Sequence, residues 1–460
     1  MLNRLSSRLP SLVKTLAYGS FAGIFFLGAA LSPAWGATLP HITALSVTSG
    51  TVDTDVTITG TNFGTSQETS IVAFNGTTAP VSSWSASSIS VTVPGGASTG
   101  NVIVTVGGEA SNGVEFTIEP LAGLPTRASV ITAINDVNTY WLTNNPTEIS
   151  DGNGQKNYWP AAVYFIGDMA AYDATGTTSY LNAATTWASN YGYNIDGGNT
   201  NTDANAQAAG QVYIRLYQIS NTASDIAGIT TDINNMVNGH GFFGNPVNYW
   251  TWTDAIFMSM PDFAELGAID NNTAYYTEMY SLYQYTKDTI GLYDTANSLW
   301  WENSKYVKTT THWSRANGWA FAAHAKVLSV LPKSDSHYAE YLSTFTAMAK
   351  ELAKVQQSEG YWNADLTGTD YAGPESSGTS FFLYGFAWGM NNGVLDSATY
   401  LPVVKNAWNF LANTAIQPSG LLGYVQPAGS APGATTATTT EDFGVGAFLM
   451  AARQMTLLTQ

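Results

Sequence analysis

The sequence predicts a multidomain chain, an N-terminal all-β sandwich followed by an all-α (α/α)6 toroid. Three observations carry this. From Leu39 to about Pro120, apolar residues alternate with a period of two in short runs broken by Gly, Ser and Asn. Beyond the stretch EPLAGLPT, six segments rich in small and apolar residues recur, each opened by a polar or aromatic cluster. A more polar helical stretch precedes each of them, for example TAYYTEMYSLYQYTKD and ATYLPVVKNAWNFLANT. A helix that is apolar all round lies inside and one with a single apolar stripe lies outside, so the alternation implies a double ring.

Residues 1–36 read as an export signal. They combine a basic start (Arg4, Arg8, Lys14), an apolar core from Leu16 to Leu31, and small residues at Ala34 and Gly36 where cleavage is expected. A retained membrane anchor is the alternative, disfavoured because the core is short and interrupted by glycine. The mature chain is therefore expected to be secreted or periplasmic, with no membrane contact after cleavage.

Residues 37–120 form the β domain. The runs DVTITG, SISVTVP, NVIVTVGG and VEFTIEP are strands separated by turn residues, which is the pattern of a sandwich. No convergent set of acid, base or metal ligand lies within it. Residues 121–460 form the helical domain. Its inner segments are YWPAAVYFIGDMAAY, DANAQAAGQVYIRLYQI, WTDAIFMSMPDFAELGAI, WSRANGWAFAAHAKVLSVL, SSGTSFFLYGFAWGM and EDFGVGAFLMAARQM. An open α-solenoid is the alternative. In a toroid all inner helices run the same way, so their N-terminal ends meet at one mouth. That gathers Trp159, Asp203, Trp252, Asp254, Trp313, Arg315, Glu375 and Glu441 around one pocket.

Composition narrows the chemistry. Cysteine is absent, which excludes thiol nucleophiles and cysteine metal sites. The net charge of −17 makes nucleic acid and anionic membranes poor partners. Charged residues are 11% of the chain and aromatics 13%, a balance suited to carbohydrate, whose C–H faces stack on rings. Asp254 stands among Trp250, Trp252, Phe257 and Met258. Either Thr253 or Asp254 caps a helix there, or a carboxyl crowded by apolar rings has its pKa raised and holds a proton to give away.

The β segment resembles the IPT/TIG immunoglobulin-like module through SGTVDTDVTITGTNFG, VAFNGTTA, SWSASSISVTVP and SNGVEFTI. That resemblance implies a module that positions or binds, through carbohydrate or protein contact. The toroid resembles the unsaturated uronyl hydrolases: glycoside hydrolase family 105, the unsaturated rhamnogalacturonyl hydrolases, with family 88 a close relative. The motifs that carry it are DANAQAAGQVYIRLY, WTDAIFMSMP, HWSRANGW, PESSGTSFFLYGFAWGMNNGVLD and GYVQPAGSAPG followed by EDFGVGAFLMA, in matching order from about Tyr158 to Met455.

The resemblance implies hydration of an enol ether. The substrate is an oligosaccharide left by a pectin lyase, here of the rhamnogalacturonan type, whose non-reducing uronate carries a C4–C5 double bond. Protonation at C4 and addition of water at C5 give a hemiketal that opens and releases the sugar. Asp254 matches the general acid and base, and Asp203 a second acid; pure capping is the alternative for each. Trp252, Met258, Trp313, Arg315 and Trp319 match substrate-binding positions, with core packing as the alternative for the tryptophans and the methionine. Many relatives carry a histidine just after a Gly-Leu, where this chain reads GLYDTANSLWW. His312 or His240 is the candidate substitute, and a structural histidine the alternative. Glu375 and Glu441 are expected to cap helices. SDGNGQ (Ser150 to Gln155) faintly suggests a calcium loop but lacks its closing glutamate, so no metal and no cofactor are expected. Competing readings are an unsaturated glucuronyl hydrolase or a polysaccharide lyase on the same toroid, and a non-catalytic carbohydrate-binding protein.

Overall fold

The computed structural model describes residues 39–146, 157–198, 201–239, 250–367, 371–429 and 431–459. The proposed export signal, the SDGNGQ stretch and His240 lie outside the described residues.

The β domain is built from β1 (His41–Leu45), β2 (Ser49–Gly50), β3 (Asp55–Thr61), β4 (Ile71–Phe74), β5 (Thr77–Thr78), β6 (Val81–Trp84), β7 (Ser88–Thr92), β8 (Gly100–Val106), β9 (Glu109–Ala110) and β10 (Val114–Ile118). One sheet has the order β1-β3-β7-β6 and the other β2-β10-β8-β4-β5, with β9 paired to β8. The period-two pattern does what it predicts. In β3, Val56, Ile58 and Gly60 are buried while their neighbours face outward. Val56, Ile58 and Ile89 from one sheet meet Val72, Phe74, Val102, Val104 and Phe116 from the other in a single core.

Twelve α-helices follow among the described residues: α1 (Arg127–Asn144), α2 (Trp159–Thr175), α3 (Thr178–Asn190), α4 (Ala204–Ser220), α5 (Ala227–Val237), α6 (Asp254–Ile269), α7 (Thr273–Gln284), α8 (Ser314–Val330), α9 (Tyr338–Val355), α10 (Ser376–Asn391), α11 (Ser397–Phe410) and α12 (Asp442–Leu458). The even-numbered helices are the inner ones. Each packs on the next in the series, and α12 packs on α2, so the ring closes and is not an open solenoid. Every residue of α10 is buried. The outer α9 instead buries a single stripe of Tyr341, Thr344, Phe345, Met348, Ala349 and Leu352. Closure depends on small residues. A Cβ on Gly446 would lie 2.1 Å from the Val163 carbonyl oxygen, and one on Gly167 would lie 2.5 Å from the Gly446 Cα. Backbones of α2 and α12 approach there as no larger residue permits.

The β domain docks where α10 ends. A Cβ on Gly95 would meet the Asn391 carbonyl oxygen at 2.1 Å. Asp53 Oδ2 accepts from Ser397 N at 3.4 Å, and Lys405 Nζ donates to the Ala122 carbonyl at 3.3 Å. The contacts of Gly95 and Asp53 lie at and just beyond the C-terminal end of the inner helix, away from the mouth formed by the inner N-termini, and Lys405 ties the linker to the outer α11.

Candidate active site

At that mouth a cavity of about 230 Å³ is lined by Trp159, Ala204, Asn205, Trp252, Asp254, Ala255 and Gly429. Its walls come from the starts of three consecutive inner helices and from the segment before α12. Trp252 is 40% exposed beside it, an indole face left open where an acid is buried.

Asp254 is the first residue of α6. Thr253, the residue at the cap position, makes no capping bond. Its hydroxyl donates instead to the Trp301 carbonyl at 2.7 Å, and its N–H donates to the Glu302 carbonyl at 2.9 Å. Asp254 keeps some accessibility through the cavity, but its Oδ1 is enclosed and has no donor. Burial pushes the carboxyl up to about 6, against the opposing pull of the Arg315 guanidinium and of the adjoining Glu302 carboxyl.

Glu302 is the residue that sequence reasoning missed. It is 2% exposed and meets Asp254 carboxyl to carboxyl. Burial and the neighbouring Asp254 charge raise it well above the usual carboxylate range, while Arg315 pulls the other way. Trp252 pairs with Asn303 in an isolated antiparallel bridge, which carries Glu302 to the start of α6. No helical or strand periodicity in WWENSKY marks that contact. The only sequence signal was an acid directly after two tryptophans.

Asp203 is the N-cap of α4. Its Oδ1 accepts from Asn205 N at 3.0 Å and its Oδ2 from the Tyr158 hydroxyl at 3.3 Å. It is half-buried, and burial with the charge of Asp196 raises it. The carboxyl in contact with Asp254 is thus Glu302, while Asp203 directly precedes Ala204 and Asn205 of the cavity wall and keeps part of its surface exposed.

Arg315 is buried, with its guanidinium carbon 4.4 Å from the Trp313 ring centre and 4.8 Å from that of Phe443. Glu375, Asp254, Glu302 and Glu441 all act on its charge, and burial outweighs them to lower its pKa. Trp313 donates its indole N–H to Gln426 Oε1 at 3.0 Å. Trp319 packs against Trp159, Phe257, Phe381 and Phe443, and Met258 is wholly buried. Both belong to the aromatic and aliphatic floor under the mouth; neither lines the cavity.

Glu375 caps α10 through Ser377 N and Gly378 N, as expected, and also accepts from Ser377 Oγ, Ser314 Oγ and Gln426 N. Glu441 occupies the cap position of α12 without a capping bond. His312 is structural. Its Nε2 pairs with Asp294 Oδ2 at 3.1 Å, its Nδ1 with Thr367 Oγ1 at 2.8 Å, and its ring stacks on Trp301.

Both parts of the chain are similar to known proteins. Residues 40–118 match the IPT/TIG domain model and residues 133–459 match that of Glycosyl Hydrolase Family 88. An unsaturated 3S-rhamnoglycuronyl hydrolase of Formosa agariphila is 33% identical over 224 residues, which cover 46% of this chain and 59% of that protein. One of the same name from an Alteromonas species is 30% identical over 219 residues, covering 46% and 52%. The chain thus spans just over half the length of these curated relatives. A solved family 88 glycosyl hydrolase from Bacteroides vulgatus superposes with a TM-score of 0.67 at 32% identity, over 73% of this chain and all of the other. A solved structure described as a polysaccharide lyase gives 0.65 at 34%, over 72% and 97%. With the closed helical ring, the acid at its mouth and a family model spanning most of its length, this chain belongs to Glycosyl Hydrolase Family 88.

Proposed function

We propose that the chain is an unsaturated uronyl hydrolase that removes a Δ4,5-unsaturated uronate from the non-reducing end of an oligosaccharide. The observation that carries this is Asp254: a carboxyl with one oxygen sealed in the protein and a pKa raised to about 6, on the wall of a cavity flanked by an open indole. Asp254 protonates C4, and positive charge develops at C5 and on the ring oxygen. The Asp254 carboxylate then takes a proton from the water that adds at C5. The hemiketal opens and the remaining sugar leaves. One water is consumed and the acid is restored. Asp203 serves as the second acid, which holds substrate hydroxyls or the water, and Trp252 stacks on the sugar.

The leaving sugar we favour is rhamnose, in a rhamnogalacturonan fragment left by a pectin lyase. The Formosa agariphila and Alteromonas relatives both carry "rhamnoglycuronyl" in their names. Elimination makes C4 planar, so galacturonate and glucuronate yield the same unsaturated ring, and discrimination must fall on the sugar beyond the cleaved bond. The signal-like N-terminus supports action after export.

The similarity to a structure described as a lyase favours one second reading, elimination on the same toroid. It suits this site less. The tyrosine bonded to Asp203, Tyr158, is pushed up to about 12 by burial and by the Asp203 charge, which makes it a reluctant base. The two readings differ in sign in one assay. Incubation with unsaturated uronyl-rhamnose disaccharides should bleach the ultraviolet band of the conjugated uronate, whereas a lyase given intact polysaccharide creates it. Asp254→Asn should cut the bleaching rate by about 10²-fold or more. No bleaching by the wild type would sink the hydrolase reading and leave a sugar-binding protein, and an unchanged rate in the variant would assign the proton donor to another group.

A further inference from the structure

We propose that Glu302 is a positioning residue for Asp254, held in its protonated form so that its hydroxyl donates to the buried Oδ1 of Asp254 and turns Oδ2 toward the cavity. This rests on the reading of Asp254 as proton donor. Neither oxygen of Glu302 receives a hydrogen bond, and Asp254 Oδ1 is equally enclosed and equally without a donor. Two ionised carboxylates in that contact would both be desolvated and would repel each other. One proton on Glu302 removes the repulsion and gives the sealed oxygen of Asp254 its missing donor.

The contact is held from several sides. Thr253 binds the carbonyls of both Trp301 and Glu302, and the Trp252–Asn303 bridge extends the pairing by one residue. Just upstream, the buried side chain of Asn317 accepts from Trp300 N at 2.7 Å and donates to the Trp300 carbonyl at 3.0 Å. Helix α8 and the start of α6 therefore hold the backbone of residues 300–303, the segment that carries Glu302.

The surrounding charges leave Glu302 free to be neutral. Arg315 faces it from α8, and Tyr306 faces it from its own segment. Glu375 and Glu441, at the starts of α10 and α12, face Arg315. The guanidinium thus has counter-charges of its own. In the reaction, the hydrogen bond from Glu302 strengthens as negative charge grows on Asp254 and slackens when Asp254 is protonated again. Glu302 keeps its proton throughout, so the balance remains one water added across C4=C5.

Two substitutions separate this role from a charge and from a mere filler. In Glu302→Gln the amide still donates, so turnover should fall no more than about threefold and the basic limb of the pH profile should stay in place. In Glu302→Leu the donor is gone. The kcat should fall by about ten- to a hundredfold, and the limb should move to higher pH because the Asp254 carboxylate has lost its stabilising bond. If Glu302→Gln is as damaging as Glu302→Leu, or moves the limb to lower pH, Glu302 is ionised in the wild type and the proposal fails. A measurement without substrate guards against misfolding of the leucine variant. The infrared difference between wild type and Glu302→Gln at about pH 7 should contain one protonated-carboxyl stretch, and its absence overturns the proposal. That band is read even if the wild-type protein leaves unsaturated uronates untouched, so failure of the functional reading and failure of this inference are distinguishable.

Discussion

Arg315 donates through Nη1 to the Gln426 backbone carbonyl at 2.6 Å, and through Nη2 to that of Pro427 at 3.3 Å. The cation that acts on Asp254 therefore also holds the strand of chain leading to Gly429 on the cavity wall. Lysine supplies a point charge but not a planar fork lying over two rings. Arg315→Lys should lower kcat/KM by about ten- to a hundredfold and loosen this segment, seen as faster amide exchange around residues 426–429. Exchange as slow as in the wild type would show that the fork is dispensable there.

The pH dependence follows from Asp254. Burial raises its pKa, so the proton-bearing form is present below about pH 6 and lost above it. The kcat/KM for bleaching should be level below that point and fall about tenfold per pH unit beyond it. A profile still rising between pH 6 and 8 would assign the donor to another group.

Trp252 and Trp319 should part company on substitution. Trp252 is 40% exposed on the cavity rim, so Trp252→Ala should raise KM several-fold with little change in Tm. Trp319 is 2% exposed beneath four aromatic neighbours. Trp319→Ala should cost about 3–5 kcal/mol of stability. Denaturant unfolding beside initial-rate kinetics distinguishes the two.

Asp168 gives a test of stability alone. It lies wholly buried on α2, with Oδ1 accepting from Asn138 Nδ2 at 2.7 Å and Oδ2 unpartnered. Burial pushes it from 3.8 up to about 8. The folded chain thus keeps a proton that the unfolded chain releases, and stability drops as pH rises from about 4 to about 8, then levels. Asp168→Asn removes that slope. It should stabilise more at pH 8 than at pH 5, by on the order of 1–3 kcal/mol, and an equal effect at both pH values would refute the assignment.

Sequence periodicity carried most of the architecture because period two and all-round apolarity are direct consequences of which faces are buried. It also brought Asp254 and Arg315 to one end, since helices of one direction share a mouth. Glu302 escaped for the converse reason. Its neighbour is set by an isolated bridge between two irregular segments, Trp252 to Asn303, and irregular backbone leaves no period to read. The role of Asp254 was open because the residues around it suit a cap as well as an acid. Only the structure shows Thr253 committed to Trp301 and the cap unmade. At Asp203 the same ambiguity resolves as a cap that also receives Tyr158.

The glycine contact between α2 and α12 bears on how the molecule is made. The first inner helix of the ring finds one of its two inner neighbours in the last, so during synthesis its flank stays open until α12 has emerged. A chain that has folded only its earlier helices leaves that apolar flank uncovered, and closure across so long a span of sequence should be slow. A bulky side chain at residue 446 should therefore trap an unclosed, aggregation-prone species instead of merely weakening the finished fold.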